Sequence, residues 1–131
     1  DCAPYQTGAR HDVGKAAFVA RPATIDELSA VVAWCVRNDV PFVPQSGNTG
    51  VVSGSGPDAT GTQGVVSTAR LKSTFDLDAD NRTLTVDAGF RLSEINDRLR
   101  PYGLFFPIDL GADPCAGGMV STNTGGARFL R

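Results

Sequence analysis

Two glycine-rich segments constrain this sequence more than any other feature. The first spans residues 44–57 and the second spans residues 117–126, and neither contains a Lys or an Arg. Glycine tolerates positive φ and has no Cβ, so successive backbone N–H groups in such segments can approach and surround an anion. Charge-assisted hydrogen bonds are worth about 1.5–3 kcal/mol each, so a few of them hold a diphosphate without a cationic side chain. The alternative for the first segment is a mobile surface loop.

The known phosphate-binding fingerprints do not fit either segment. The sequence has no G-x-x-x-x-G-K-[ST], and no G-x-G-x-x-G closes a strand and opens a strongly periodic helix. The second segment contains Ser121-Thr122-Asn123-Thr124, whose side chains form hydrogen bonds but do not ionise. This composition favours binding over catalysis.

Composition restricts the partners and the location of the chain. Its 131 residues are 41% hydrophobic, and 12 Lys and Arg against 14 Asp and Glu give a net charge of -2, so we expect one domain and neither nucleic acid nor anionic lipid as a partner. No apolar run reaches the roughly 18 residues of a membrane span, and we expect a cytoplasmic protein. The three cysteines lie outside any C-x-x-C pattern, which indicates free thiols and no metal site.

Hydrophobic periodicity predicts a mixed helix and strand arrangement. Thr24 and Glu27 form a capping box that opens a helix ending near Asn38, and this helix separates two strands that we expect to pair in parallel. Its predicted apolar face consists of Ile25, Leu28, Val31, Val32, Cys35 and Val36. The other predicted elements are strands at 17–20, 41–44 and 64–67, an antiparallel hairpin of 75–78 with 83–88, and a helix from Leu92 to Leu99 that ends at Pro101 and Gly103.

The ionisable residues near these segments do not form a catalytic set. Asp109 and Asp113 could act as an acid and base pair, but capping or turn formation is the stronger hypothesis for both. His11 is interpreted as a surface residue and Cys115 as a packing residue, because neither has a partner at a suggestive spacing. We therefore assign no catalytic residue and no metal ligand.

Several stretches taken together resemble one family. They cover nearly the whole chain: Arg21-Pro22, Val43 to Gly50, Gly61 to Ser67, Asp87-Ala88-Gly89, Phe106 to Ala112 and Gly117 to Arg131. In this order and spacing they resemble the FAD-binding domain of the vanillyl-alcohol oxidase and p-cresol methylhydroxylase (PCMH) type flavoproteins. The resemblance implies an α+β fold, with a small strand-helix-strand subdomain followed by the start of a second, mixed-sheet subdomain.

The Asp109–Ala112 and Ser121–Gly126 phrases are most similar to the bacterial D-2-hydroxy-acid dehydrogenase branch, which includes D-lactate, glycolate and D-2-hydroxyglutarate dehydrogenases. The resemblance implies oxidation of a small D-2-hydroxy acid to the 2-oxo acid, with hydride transfer to flavin N5. It implies that the backbone from Ser46 to Gly50 holds the FAD pyrophosphate, and that Pro107 to Ala112 and Gly117 to Asn123 line the ribityl chain and isoalloxazine. The implied FAD contacts are Pro44, Gln45, Ser46, Gly47, Asn48, Thr49, Gly50, Val51, Pro107, Asp109, Leu110, Gly111, Ala112, Gly117, Gly118, Ser121, Thr122, Asn123, Gly125 and Gly126.

The resemblance also implies that residues 1–131 are the N-terminal part of such a domain, with the substrate bound through a cap domain beyond them. Some relatives attach the flavin through a histidine in the first segment, which has none here, so noncovalent FAD is expected. The electron acceptor stays open. Two alternatives remain at this point, namely a non-catalytic nucleotide-binding module and a fragment that binds no ligand.

Overall fold

The computed structural model describes residues 1–10 and 13–127 and has an α+β architecture, as expected. A three-stranded parallel sheet and a two-stranded antiparallel hairpin are accompanied by four helices in this part of the chain. The expectation for His11 lies outside the described residues. The elements are α1 (Ala3–Gln6), β1 (Phe18–Ala20), α2 (Ile25–Arg37), β2 (Phe42–Gln45), β3 (Gly64–Ser67), β4 (Phe75–Asp78), β5 (Thr83–Val86), α3 (Leu92–Leu99), a 3-10 turn (Arg100–Tyr102) and α4 (Ala116–Ser121).

The parallel sheet has the strand order β1-β3-β2. Val65 of β3 is aligned with Val19 of β1 on one side and with Val43 of β2 on the other. The predicted direct pairing of the first two strands is therefore wrong, because β3 lies between them. All four residues of β3 are buried, as expected of the central strand of a parallel sheet that is covered on both faces.

Helix α2 begins where the capping box predicts. The Glu27 N–H donates to Thr24 Oγ1 at 3.1 Å, and Glu27 Oε2 accepts from the N–H of Ala23 at 2.7 Å. The predicted apolar face is only partly correct, since Cys35 is buried while Ile25 and Val36 are 64% and 66% exposed. Periodicity predicts which residues form the apolar face. How much of that face is buried depends on the size of the sheet, whose strands here are only three and four residues long.

A second core lies between the hairpin, α3 and α4. Its buried members are Phe90, Leu92, Ile95, Leu99, Ala116 and Met119. The predicted hairpin and the helix at 92–99 are both present, with Leu77 of β4 aligned with Leu84 of β5. The Arg98 guanidinium lies 4.7 Å from the Phe90 ring centroid, which closes this core on one side. In the described ranges, no helix has the length and apolarity to cross a bilayer.

Candidate functional site

The first glycine-rich segment leaves the parallel sheet at its carboxyl edge. Strands β1, β2 and β3 run in the same direction, so their last residues Ala20, Gln45 and Ser67 end at one edge. The Thr68 N–H donates to the Gln45 carbonyl at 2.8 Å, which fixes the point where the segment starts. Ligands of open α/β sheets bind beyond the carboxyl ends of the strands. The segment thus starts where a cofactor would be expected.

Two side chains predicted to contact the cofactor hold the loop itself. Gln45 is buried, and its Nε2 donates to the carbonyls of Tyr5 at 3.0 Å and Ser55 at 2.7 Å. Asn48 has a φ of 51°, its Nδ2 donates to the Thr7 carbonyl at 2.8 Å, and its Oδ1 accepts from Ser55 Oγ at 2.9 Å. Because these two side chains are already hydrogen-bonded within the protein, the main chain of the loop is the part available to bind a ligand.

The main chain of the loop offers a run of hydrogen-bond donors. Among residues 1–10 and 13–127, no acceptor is present for the N–H groups of residues 47–51. At Gly50 no atom of the described residues lies within 4 Å of the position that a Cβ would occupy, so the backbone is open on that side. Thr49 is partly buried, whereas Gly50 and Val51 are exposed. Adjacent free donors beside a glycine without neighbours are suited to an anionic group.

The second glycine-rich segment begins with α4, which the sequence analysis did not predict. The N–H groups of Ala116 and Gly117 donate to the carbonyls of Phe90 at 2.8 Å and Ala88 at 3.0 Å. A Cβ on Gly117 would lie 2.8 Å from the Ala88 Cβ, so glycine is needed for this close approach. Gly118, in contrast, has open space around it.

The two segments meet at Ala88. Its carbonyl oxygen accepts from Ser46 Oγ at 3.4 Å and from the Gly117 N–H at 3.0 Å. Gly47 also lies against the start of α4, because a Cβ at Gly47 would be 3.2 Å from the Cys115 nitrogen. The structure therefore brings together the beginnings of both predicted segments. Sequence reasoning did not assign Ala88 and Cys115 to this junction, although Ala88 stands in one of the family-like stretches.

The stretch at 107–112 joins the end of the second segment. Gly126 has a φ of 68°, and a Cβ there would lie 2.8 Å from the Asp109 carbonyl oxygen, which also accepts from the Ala127 N–H at 2.9 Å. Gly111 has no neighbour within 4 Å of a Cβ position, and Ala112 is exposed. The structure thus places Asp109 of this stretch beside Gly126.

A wide groove of about 1460 Å³ runs between the hairpin, the 103–108 segment and α4. Predicted site residues contribute to only part of its wall, and first-segment residues do not line it. The predicted residues that do are Pro107, Gly117, Ser121 and Asn123. Ser121 Oγ and Thr122 Oγ1 donate to the carbonyls of Gly117 and Gly118, both at 2.8 Å, so these hydroxyls already have acceptors inside the helix.

The acidic groups serve the scaffold. Asp113 accepts from the Ser93 N–H at 2.9 Å and from Ser93 Oγ at 2.8 Å, which agrees with the capping hypothesis. Hydrogen bonds from Lys72 and from the Arg91 N–H lower the pKa of Glu94. Hydrogen bonds from the backbone and side chain of Asn81 lower the pKa of Asp78. In the described part of the chain, no group of His, Cys, Asp and Glu is arranged to hold a metal ion.

Comparison with known proteins accounts for most of the sequence. The profile of a family described as "FAD binding domain" matches residues 16–130. The chain is 40% identical over 115 residues to D-2-hydroxyglutarate dehydrogenase from Xanthomonas citri pv. viticola, covering 86% of this chain and 24% of that protein. It is 32% identical over 114 residues to D-lactate dehydrogenase from Archaeoglobus fulgidus, covering 86% of this chain and 25% of that protein. The chain thus spans about a quarter of the length of these relatives.

Solved structures show the same fold at low sequence identity. A structure of alkyldihydroxyacetonephosphate synthase superimposes with a TM-score of 0.73 and 18% identity, covering 85% of this chain and 23% of that one. A second structure of alkyldihydroxyacetonephosphate synthase gives a TM-score of 0.70 at 17% identity, covering 79% of this chain and 20% of that one. At this level of identity the likeness concerns the fold alone.

Proposed function

Because this chain belongs to the FAD binding domain family, we propose that residues 1–131 form the N-terminal part of the FAD-binding domain of an oxidoreductase that acts on a small D-2-hydroxy acid. The donors of the first segment carry the proposal. Within the described ranges, the N–H groups of residues 47–51 have no acceptor, and Gly50 is open. Successive main-chain donors beside an open glycine fit the diphosphate of FAD.

The later segments fit the rest of the cofactor. Within residues 1–10 and 13–127, no atom lies within 4 Å of a Cβ position at Gly111 or Gly118, so their backbone can lie close to a flat or extended group. Pro107, Gly117, Ser121 and Asn123 line the wide groove. In the proposal, 107–112 and 117–126 hold the ribityl chain and the isoalloxazine.

The chemistry is divided between cofactor and chain. When bound, FAD would supply the acceptor for the hydride removed from the hydroxy acid. The residues of this chain bind and orient the cofactor, and the Ala88 junction keeps the first segment and α4 at a fixed separation. No residue of the chain is assigned to remove the hydroxyl proton or to hold the substrate carboxylate.

The substrate class is supported by the relatives. One is a D-2-hydroxyglutarate dehydrogenase and another a D-lactate dehydrogenase, and both names specify a D-2-hydroxy acid. We extend that class to the protein containing this chain, with the substrate bound through a cap domain and the electron acceptor unassigned. Free buried thiols at Cys35 and Cys115 support a reducing compartment, and we propose the cytoplasm.

The test is a visible spectrum of the intact protein followed by anaerobic titration. We expect a flavin spectrum that bleaches on addition of one of D-2-hydroxyglutarate, D-lactate or glycolate, with the L-enantiomer of each chiral acid as the control. A protein that stays colourless after FAD is added contradicts the cofactor assignment. A yellow protein that no D-acid reduces contradicts the substrate assignment alone.

The same preparation tests the mode of attachment. The first segment contains no His and no Cys, so we propose that FAD is held without a covalent bond. Acid precipitation should then release all the flavin into the supernatant. Flavin that remains with the precipitated protein contradicts this.

A further inference from the structure

Tyr5, Thr7 and Gly14 lie against the first glycine-rich segment, although the family match begins only at residue 16. We propose that residues 3–7 and 13–15, which we call the N-terminal clamp, hold this segment in its binding conformation and thereby set the affinity for FAD. Gln45 and Asn48 are then positioning residues that act through the loop backbone. This inference rests on the proposed function, since it takes the segment to be the diphosphate site.

The first connection runs through Gln45 at the end of β2. Its Nε2 donates to the Tyr5 carbonyl of the clamp and to the Ser55 carbonyl near the far end of the loop. The side chain is 3% exposed. One buried amide therefore joins the clamp, the start of the loop and the end of the loop, and leaving either carbonyl unpaired would be unfavourable.

The second connection runs through Asn48 inside the loop. Its Nδ2 donates to the Thr7 carbonyl at 2.8 Å, and its Oδ1 accepts from Ser55 Oγ at 2.9 Å. Asn48 also has a positive φ, which Asn adopts more readily than most residues. The clamp therefore contacts the very residue at which the loop backbone turns.

The third connection is a close backbone contact at Gly14. A Cβ on this glycine would overlap the Pro57 carbonyl group and lie 3.0 Å from the Asp58 carbonyl oxygen. The Lys15 N–H donates to that same Asp58 oxygen at 2.7 Å. Within the clamp, the Gly14 N–H donates to the Gln6 carbonyl at 2.8 Å. The N-terminal clamp thus contacts the loop at both its start and its end.

The physical effect is preorganisation. Residues 44–57 include four glycines, and ordering their flexible backbone carries a cost in conformational entropy. If the clamp orders the loop before FAD binds, this cost is not subtracted from the binding free energy. A loosened clamp should therefore weaken the binding of ligands that carry a diphosphate and spare those that do not.

Gly14→Ala is the test, with Gly64→Ala as its control. Both replace a glycine at a close contact, but a Cβ at Gly64 would overlap the Phe18 ring, outside the clamp and the first segment. In the intact protein stripped of flavin, we expect Gly14→Ala to raise the Kd for FAD about tenfold, which corresponds to about 1.4 kcal/mol. The Kd for riboflavin, which lacks the diphosphate, should not change. Gly64→Ala should keep the wild-type ratio of the two Kd values.

Each other result has a distinct meaning. Equal FAD affinity in Gly14→Ala and the wild type overturns the clamp. An equal loss for FAD and riboflavin, or the same selective loss in Gly64→Ala, also overturns it, because either would mark a general loss of structure. A wild-type protein that binds no FAD refutes the proposed function instead. If Gly14→Ala does not fold, Asn48→Gly replaces it, because it keeps the positive φ and the N–H but removes both side-chain bonds. The same selective loss of FAD affinity is expected there, and its absence overturns the clamp.

Discussion

Gly117 shows how a single missing methyl group shapes the candidate site. It sits at the start of α4, where its N–H bonds to Ala88 and its Cα packs against the Ala88 side chain. The Ala88 carbonyl also accepts a hydrogen bond from Ser46 Oγ, so a displacement of Ala88 caused by a change at Gly117 would move the first segment as well. The site therefore depends on the size of residues that need not touch the ligand.

Gly117→Ala should both destabilise the protein and weaken FAD binding. The new Cβ would be 2.8 Å from the Ala88 Cβ, and relieving such overpacking costs about 1–3 kcal/mol. Urea unfolding and an FAD titration measure the two effects. Gly118→Ala is the control for stability, because it lies in the same helix with open space around it and should gain about 0.5–1 kcal/mol. Equal stability of the two variants would contradict the packing argument.

Among the elements, α3 depends on an ion pair in its first turn. Glu94 accepts from Lys72 Nζ at 2.6 Å and from the Arg91 N–H at 2.8 Å. Both side chains are partly exposed, at 34% for Lys72 and 41% for Glu94. Screening by solvent limits such a pair to about 0.2–1 kcal/mol.

The pH dependence of Glu94→Gln tests this assignment. The pKa of Glu94 is lowered in the folded protein, so its ionised form stabilises the fold above the ordinary pKa of 4.5. That contribution is lost as the pH falls from 4.5 through the lower folded-state pKa. Glu94→Gln should be less stable than the wild type at neutral pH, and the difference should shrink in acid. Urea unfolding at several pH values measures it, and a difference that does not change with pH contradicts the ion pair.

Local sequence signals predicted individual elements well and their assembly less well. The Thr24 cap and the Leu92, Ile95 and Leu99 spacing located α2 and α3, because capping and periodicity depend on residues close in sequence. The position of β3 between the other strands was missed, since strand order depends on contacts between distant segments. α4 was missed because Gly117 and Gly118 have a low helix propensity. The first N–H groups of this helix instead donate to the Phe90 and Ala88 carbonyls, which are distant in sequence.

For the candidate site, too, local sequence signals were informative and contacts between distant segments were missed. Glycine content identified both segments, but it could not distinguish Gln45 and Asn48 from the residues whose N–H groups stay available. That distinction depends on hydrogen bonds to the backbone carbonyls of Tyr5 and Thr7. Every residue has such a carbonyl, so the sequence does not reveal which ones are used. Whether the predicted cofactor contacts touch FAD stays a prediction.

For the whole molecule, the Ala88 junction links the two sheet regions, and ligand binding should stabilise them together. FAD at a hundred times its Kd should raise the free energy of unfolding by about 2.7 kcal/mol. Hydrogen exchange should then slow both in β3 and in α3, at opposite sides of the junction. Riboflavin at the same concentration is the control. Protection confined to the first segment would contradict coupling through Ala88.

The Ala88 carbonyl also bears on the order of folding. It takes bonds from Ser46, far before it in the chain, and from Gly117, far after it. Closing such long loops carries an entropic penalty, so contacts of this kind form late. Helix α2 and the β4–β5 hairpin are built from contacts that are local in sequence, whereas the junction forms only when residues 46, 88 and 117 have come together. Retention of flavin would then report that folding is complete, and a chain that stalls partway would emerge colourless with much of its secondary structure intact.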